Sequence, residues 1–387
     1  MRDGYIRSIF MPLLLLMIAN AAITATTHAD EFNTMAVQLD SDLGLTLQGV
    51  DTEYGKYDIF LEHYVNPSDP EGNYWKFVSS IYAFQQAHVN VRTFQYSTEE
   101  PLERHCLDIY YPDNPQGDKV VIFVPGGAWR QGDKQLYSDL GTTLAGIYHF
   151  TTVIINYRLS SDEGGNAIHP DHINDVATAF TWVKNNISEY GDSSSIYIFG
   201  QSAGAHLVSL LATDGKYLQN KGCSTSDIKG VISMSAMYNL PAFVQYPDNP
   251  LGLDRMDVMM YKKIMLDAFG SLSEDVLSDA SPVNHISSSQ PPFLVIYTYK
   301  DLPGFALDAE NFVKAVKALP DAPEISLRKI EFSDYSNEEW KTAQELASAE
   351  PAMADYVGHY AEVMPINPKE QDNYVTRMVV DFIRKRR

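Results

Sequence analysis

Two cysteines, Cys106 and Cys223, are all that the 387 residues contain. That is too few for a disulfide framework, and no close Cys/His pairing has zinc-like spacing. Sequence does not show that their Cα atoms come within the ~7 Å a bridge requires, so they read as two separate thiols. Charged residues are sparse, at 20%, and the balance is acidic, with a formal net charge of -21. A field of that sign repels phosphate backbones, and no basic patch interleaved with aromatics appears, which excludes a nucleic-acid partner. Internal repeats, low-complexity tracts and a convincing linker are also missing. With 45% hydrophobic residues, the chain has the composition of one large, elaborated globular domain.

The first segment sets Arg2 and Arg7 before an apolar run from Ile9 to Ile18, followed by small residues and Thr27-His28-Ala29. This is the layout of a secretory signal peptide over residues 1–29, cleaved after Ala29 or, in competition, after Ala21. The run is shorter than the ~20 residues that cross a bilayer, and no cysteine follows to carry a lipid. Export to a periplasmic or extracellular location is expected, with an uncleaved anchor as the alternative and no stable membrane span once the leader is removed.

Beyond it, Val- and Ile-rich runs alternate with amphipathic stretches. Lys119 to Gly127, Thr151 to Arg158, Ser195 to Gly200, Lys229 to Ser235 and Pro292 to Thr298 are nearly continuous apolar runs and read as strands covered on both faces. Between them Ile173, Val176, Ala177, Phe180 and Val183 recur at helical spacing, as do Leu207, Leu210 and Leu211. Strand alternating with helix predicts a parallel sheet with right-handed crossovers. Val89 to Tyr96 and Leu107 to Pro112 precede any helix signal and suit an antiparallel edge. A last strand is expected near Ser326 to Phe332, then a helix carrying Val375, Met378, Val379 and Phe382 on one face. Its basic end, Arg384 to Arg387, suits the helix dipole. Residues 30–82, 241–270 and 333–357 lie outside this rhythm and read as insertions of the kind that cover a site. The expected organisation is a leader over 1–29, an N-terminal extension over 30–88 and a catalytic domain over 89–387.

Gly200-Gln201-Ser202-Ala203-Gly204 ends one of these strands. A strand that turns sharply into a helix strains its turn residue and leaves room only for small residues two positions either side. Gly-x-Ser-x-Gly alone is a weak signal; after a buried strand and before a helix pattern it is a strong one. A serine hydroxyl attacks a carbonyl only with a base beside it, and that base needs an orienting carboxylate. On this architecture the chain order is serine, acid, histidine. His359 is the one histidine beyond the last plausible acid strand. Asp301 ends the strand before it, with Asp308 and Glu310 as competitors, while His285 precedes that strand and fits badly. Oxyanion donors are expected from Gly126 and Gly127, in the turn after the first strong strand, and from Ala203.

The stretches VPGGAWRQGDK, INYRLS, HPDHINDVATAFTWVKNNISEYG, IYIFGQSAGAHL and SPVNHISSSQPPFLVIYTYKD together resemble the α/β-hydrolase fold. Within it they resemble the carboxylesterases with a His-Gly-Gly-x-Trp turn, a group that includes hormone-sensitive-lipase-like, feruloyl-esterase-like and kynurenine formamidase proteins. GGAW and GQSAGAH are especially similar to the prenylcysteine methylesterases. The resemblance covers about Val89 to the C-terminus. It implies a mostly parallel, doubly wound sheet of about eight strands, helices on both faces and cap insertions. It also implies Ser202 as nucleophile, Asp301 as orienting acid, His359 as base, and Gly126, Gly127 and Ala203 as oxyanion donors. Pro125 departs from the pattern: it stands where the family has histidine, so the turn must be held by other groups. The interval from Asp301 to His359 is long for the group.

Other residues have bland readings. His206 suits packing better than catalysis, and Trp129 either lines a substrate pocket or covers the core. Asp175 and Arg158 suit a structural ion pair, and Met256 to Met265 either an adaptable wall or plain core. Asn186-Ile187-Ser188 fits a glycosylation acceptor. The chain is therefore expected to be an exported serine hydrolase of small-molecule carboxylic esters, needing no metal or organic cofactor. The rivals are an amidase or formamidase of the same fold and an inactive binding module.

Overall fold

The computed structural model describes residues 89–99, 103–115, 117–161, 164–331, 359, 366 and 373–385, all within the compact unit Phe84–Arg387. The expected leader, the N-terminal extension and the acidic stretch 333–357 lie outside the described residues.

Eight strands form one sheet: β1 Val89–Gln95, β2 Cys106–Pro112, β3 Lys119–Val124, β4 Thr151–Ile155, β5 Asp192–Gln201, β6 Ile228–Met234, β7 Phe293–Thr298 and β8 Ile325–Ile330. Their order is β1-β2-β4-β3-β5-β6-β7-β8. β2 pairs antiparallel with both β1 and β4, and every other pairing is parallel. The apolar runs are continuous because both faces are covered. Val120, Ile122 and Val124 of β3 and Ile196 and Ile198 of β5 enter the core on one face. Val121, Phe123, Tyr197 and Phe199 enter the core on the other.

The first face is covered by α1 Asp171–Asn186, α2 Ala203–Thr213 and α4 Phe305–Lys317, and α3 Arg255–Phe269 joins the same apolar cluster. α5, Tyr374–Arg384, covers the second with Val375, Val379 and Phe382. Its basic end is put to a second use, since the Arg384 guanidinium lies 5.5 Å from the Tyr148 ring centre and 5.8 Å from that of Phe150. The methionines of α3 divide: Met265 is core, whereas Met256 and Met259 are about half exposed, at 48% and 55%. Among the described residues no helix is long and apolar enough to cross a membrane.

The topology selects one edge of the sheet. The chain leaves β3 for β4 on one side and returns to β5 on the other, so the carboxyl ends of β3 and β5 lie together where the winding reverses. Such a switch point is where open sheets of this kind bind ligands. Register sharpens this: Val124 pairs with Gly200, which sets the Pro125-Gly126-Gly127 turn level with Ser202.

Candidate active site

Ser202 occupies the bend between β5 and α2 at φ 55 and ψ -121, a conformation that costs a non-glycine residue ~1–3 kcal/mol. Its N–H donates to the Met234 carbonyl at 2.8 Å, and its own carbonyl accepts the His206 N–H at 3.0 Å, the first turn of α2. The flanking glycines are forced. A Cβ on Gly200 would lie 2.4 Å from the Gly204 carbonyl, and one on Gly204 only 2.0 Å from the Val124 oxygen.

His359 is 3% exposed. Its Nε2 lies 2.8 Å from Ser202 Oγ and its Nδ1 2.7 Å from Asp301 Oδ1. Asp301 follows β7 and its second oxygen is also engaged: Oδ1 accepts the Leu302 N–H at 2.8 Å, and Oδ2 accepts the hydroxyl of Ser235. Ser235 takes the left-handed region, φ 47, directly after β6. The Phe305 ring stands edge-on to the imidazole at 5.1 Å. The side chains read as nucleophile, acid and base are therefore in line and shielded, so a proton could pass from Oγ to Nε2 while Nδ1–H stays on the carboxylate.

The competitors are engaged elsewhere. Glu310 accepts the Tyr297 hydroxyl at 2.7 Å, and His285 Nε2 lies 2.8 Å from the Asp279 carbonyl. His206 bonds the Ala280 carbonyl through Nε2 at 2.8 Å, and burial pushes its imidazole down to about 3, so it stays neutral. Asp308 accepts the N–H groups of Tyr238 and Asn239 at 2.6 and 3.2 Å. Burial raises its carboxyl to about 7, against the opposing pull of those amides.

That shift has a stability consequence. Between about pH 4 and 7 the folded carboxyl holds a proton that the unfolded one has lost, so stability falls as pH rises across that window and is flat above it. Asp308→Asn keeps an acceptor for both amides and removes the charge. We expect it to stabilise the protein at pH 8 by on the order of 2 kcal/mol and to make little difference at pH 4. Parallel melting curves for the two proteins at both pH values would contradict this.

The turn after β3 is held by a device that the sequence did not reveal. The Tyr157 hydroxyl donates to the Pro125 carbonyl at 3.0 Å, and the Gly126 N–H donates to the Tyr137 hydroxyl at 3.3 Å. One peptide unit is thus gripped at both ends by tyrosines, in place of the absent histidine. Arg104 ties in Gly132 O and Tyr157 O at 2.8 and 3.1 Å, and Asn156 bonds Asp133 at 2.7 Å. Lys134 is anchored on buried Asp108, also at 2.7 Å. Gly127 has φ 119 and would bring a Cβ within 2.3 Å of the Gln131 oxygen. Gly126 lies against the elbow, where its Cβ would be 3.1 Å from Ser202 Cβ. The Gly126 N–H, expected as an oxyanion donor with those of Gly127 and Ala203, is directed at the Tyr137 hydroxyl.

Trp129 is placed by its packing. It is 2% exposed and wedged between the His206 and Phe269 rings, each 5.1 Å away, as the core-covering reading expects. Arg158 meets Asp175 with two guanidinium nitrogens, at 2.8 and 2.9 Å, a structural pair that His105 joins at 3.3 Å. Cys106 and Cys223 are unbridged. Asn186, the acceptor residue of the glycosylation motif, is exposed. Among the described residues one group has metal-like spacing, Asp214, Asp279 and His285. The Lys216 ammonium sits between its two carboxylates, at 2.8 and 2.7 Å, and supplies the cation itself.

Sequence reasoning missed Ser235, Tyr137, Tyr157 and Gln201, whose side-chain amide donates to the His359 carbonyl at 3.0 Å. For Gln201 a signal was present, since it directly precedes the serine and ends a buried strand.

Comparison with known proteins follows the same lines. The BD-FAE family model matches residues 107–303. "Probable carboxylic ester hydrolase LipM" of Mycobacterium tuberculosis (strain ATCC 25618 / H37Rv) is 34% identical over 224 residues, 56% of this chain and 50% of that protein. Isoprenylcysteine alpha-carbonyl methylesterase ICME of Arabidopsis thaliana is 33% identical over 232 residues, 58% of this chain and 52% of that protein. The chain thus spans about half the length of these relatives. Among solved structures, a truncated carbohydrate esterase from gut microbiota superposes with a TM-score of 0.55 at 19% identity, covering 76% of this chain and 95% of that one. An inhibited esterase B from Lactobacillus rhamnosis gives 0.55 at 18% identity, with 81% and 95% covered. At such identities the likeness is one of fold.

Proposed function

Because the chain belongs to the BD-FAE family and has the α/β-hydrolase fold, we propose that it is a serine carboxylic ester hydrolase acting on small-molecule esters. The observation that carries this reading is the unbroken relay Asp301–His359–Ser202, with contacts of 2.7 and 2.8 Å. The names of its relatives, a carboxylic ester hydrolase and an isoprenylcysteine methylesterase, support the same class.

In the proposed reaction Ser202 Oγ attacks the ester carbonyl as its proton passes to His359 Nε2. The oxyanion forms against the N–H groups of Gly127 and Ala203. His359 then gives the proton to the departing alcohol, leaving an acyl ester on Ser202. A water molecule repeats the attack, losing its proton to His359, and the acid leaves as Oγ is reprotonated. Asp301 keeps Nδ1–H in place throughout and supports the imidazolium. The leader sequence supports a further proposal, that the protein is exported.

The test is a fluorophosphonate probe on the folded protein, run beside hydrolysis of short p-nitrophenyl esters and of formamides. Wild type should label and turn over the esters, and Ser202→Ala should do neither. Faster turnover of formamides would move the substrate class to amides. A folded wild type that does not label would overturn the reading in favour of a binding module.

A further inference from the structure

We propose that Gln201 is a positioning residue of this reaction: its side-chain amide fastens the segment carrying His359 to the strand carrying Ser202. The inference rests on the reading of Ser202, His359 and Asp301 as the reacting relay.

His359 is 157 residues from Ser202 and 58 from Asp301 in the chain, so both ring contacts depend on a long-range approach of its backbone to β5 and β7. Both ring contacts are made by flexible side-chain atoms and would tolerate displacement of the backbone behind them. The Gln201 Nε2–H bond to the His359 carbonyl, at 3.0 Å across 158 residues, fixes that backbone. Its anchor is rigid. Gln201 ends β5 in register with Met234 and has no solvent exposure.

The other end of the same amide lies against the oxyanion turn. A Cβ on Gly126 would come within 2.3 Å of Gln201 Oε1, so the turn can approach this closely only because residue 126 is glycine. A single planar group thus spans the nucleophile's strand, the histidine's segment and the turn. The sharp bend demands small residues at 200 and 204 but makes no demand on the side chain at 201. A misplacement of ~1 Å between reacting groups costs about 100-fold in rate, which sets the scale of the expected effect.

The experiment uses the full chain with two replacements, Gln201→Met, which keeps length and loses the donor, and the near-isosteric Gln201→Glu. For each, kcat and KM on a short p-nitrophenyl ester across pH, the fluorophosphonate labelling rate and the folded fraction are measured. Gln201→Met should lower kcat and labelling by about 10- to 100-fold per folded molecule, with KM nearly unchanged. Gln201→Glu should work while its carboxyl is protonated and can donate to the His359 carbonyl. It should lose activity as that carboxyl ionises, giving a descending alkaline limb that wild type lacks.

A role confined to satisfying a buried carbonyl would lower stability without moving kcat or the profile. Wild-type kcat per folded molecule in Gln201→Met, or a Gln201→Glu profile parallel to wild type, overturns the inference. If Gln201→Met does not fold, the alkaline limb of Gln201→Glu decides; failure of both to fold also overturns it, by showing the bond to be structural. A wild type that neither labels nor hydrolyses esters refutes instead the reading on which the inference rests.

Discussion

Replacing His359 with alanine should lower kcat on a short ester by about 10⁵-fold while leaving KM within a few-fold of wild type. Among the described residues the imidazole is the only group within hydrogen-bonding distance of both Ser202 Oγ and Asp301, so its loss removes the proton acceptor and the link to the carboxylate together. Groups that act as one unit lose nearly everything when either reacting member goes. A residual rate over water should persist, from binding and from the oxyanion donors. Asp301→Asn is the companion variant. It conserves volume but presents the wrong hydrogen-bonding pattern to Nδ1, and a loss of about 10⁴-fold is expected. Steady-state kinetics on protein checked for folding by circular dichroism decide the matter. Retention of more than about one per cent of kcat by either variant would count against the relay.

The second large effect concerns stability. Gly204→Ala places a methyl 2.0 Å from the Val124 carbonyl oxygen and 2.6 Å from that of Pro125. Both are backbone atoms, and Val124 is held in the β3–β5 ladder, so neither yields as a side chain would. Overpacking against fixed backbone costs about 3 kcal/mol or more, which lowers the melting temperature of a domain this size by roughly 5 °C. Gly222→Ala is the control: its Cβ meets nothing within 4 Å, although φ is 79. Only the left-handed conformation is then penalised, at about 1 kcal/mol. Equal melting temperatures for the two variants would refute close packing of the elbow against the oxyanion turn.

These two predictions draw on features of unequal visibility in the sequence. The cores of β3, β4, β6 and β7 were legible because strands buried on both faces are written as unbroken apolar runs. The start of β5 was not: it opens three residues early, at Asp192, among polar serines whose pairing depends on Lys119 across the ladder. Ser202 was legible through the steric demand it makes on Gly200 and Gly204. Asp301 and His359 followed from chain order, and the register of β5, β6 and β7 brings the end of β7, before Asp301, to the edge that carries Ser202.

Ser235 was hidden because its role depends on a left-handed φ and on a strand pairing distant in sequence. Tyr137 and Tyr157 were hidden for a related reason, since nothing in a tyrosine's neighbours along the chain tells which carbonyl or amide its hydroxyl will meet. Trp129 was ambiguous for want of a direction: an aromatic beside a Gly-Gly turn reads the same whether it faces inward or outward.

The tyrosine that fixes the Pro125 carbonyl has a further consequence. Tyr157 is fully buried, and burial pushes its phenol above its already alkaline range. A histidine in the family's position would exchange donor for acceptor character near neutrality. Here the grip on the carbonyl is indifferent to acidity over the interval in which histidines ordinarily titrate.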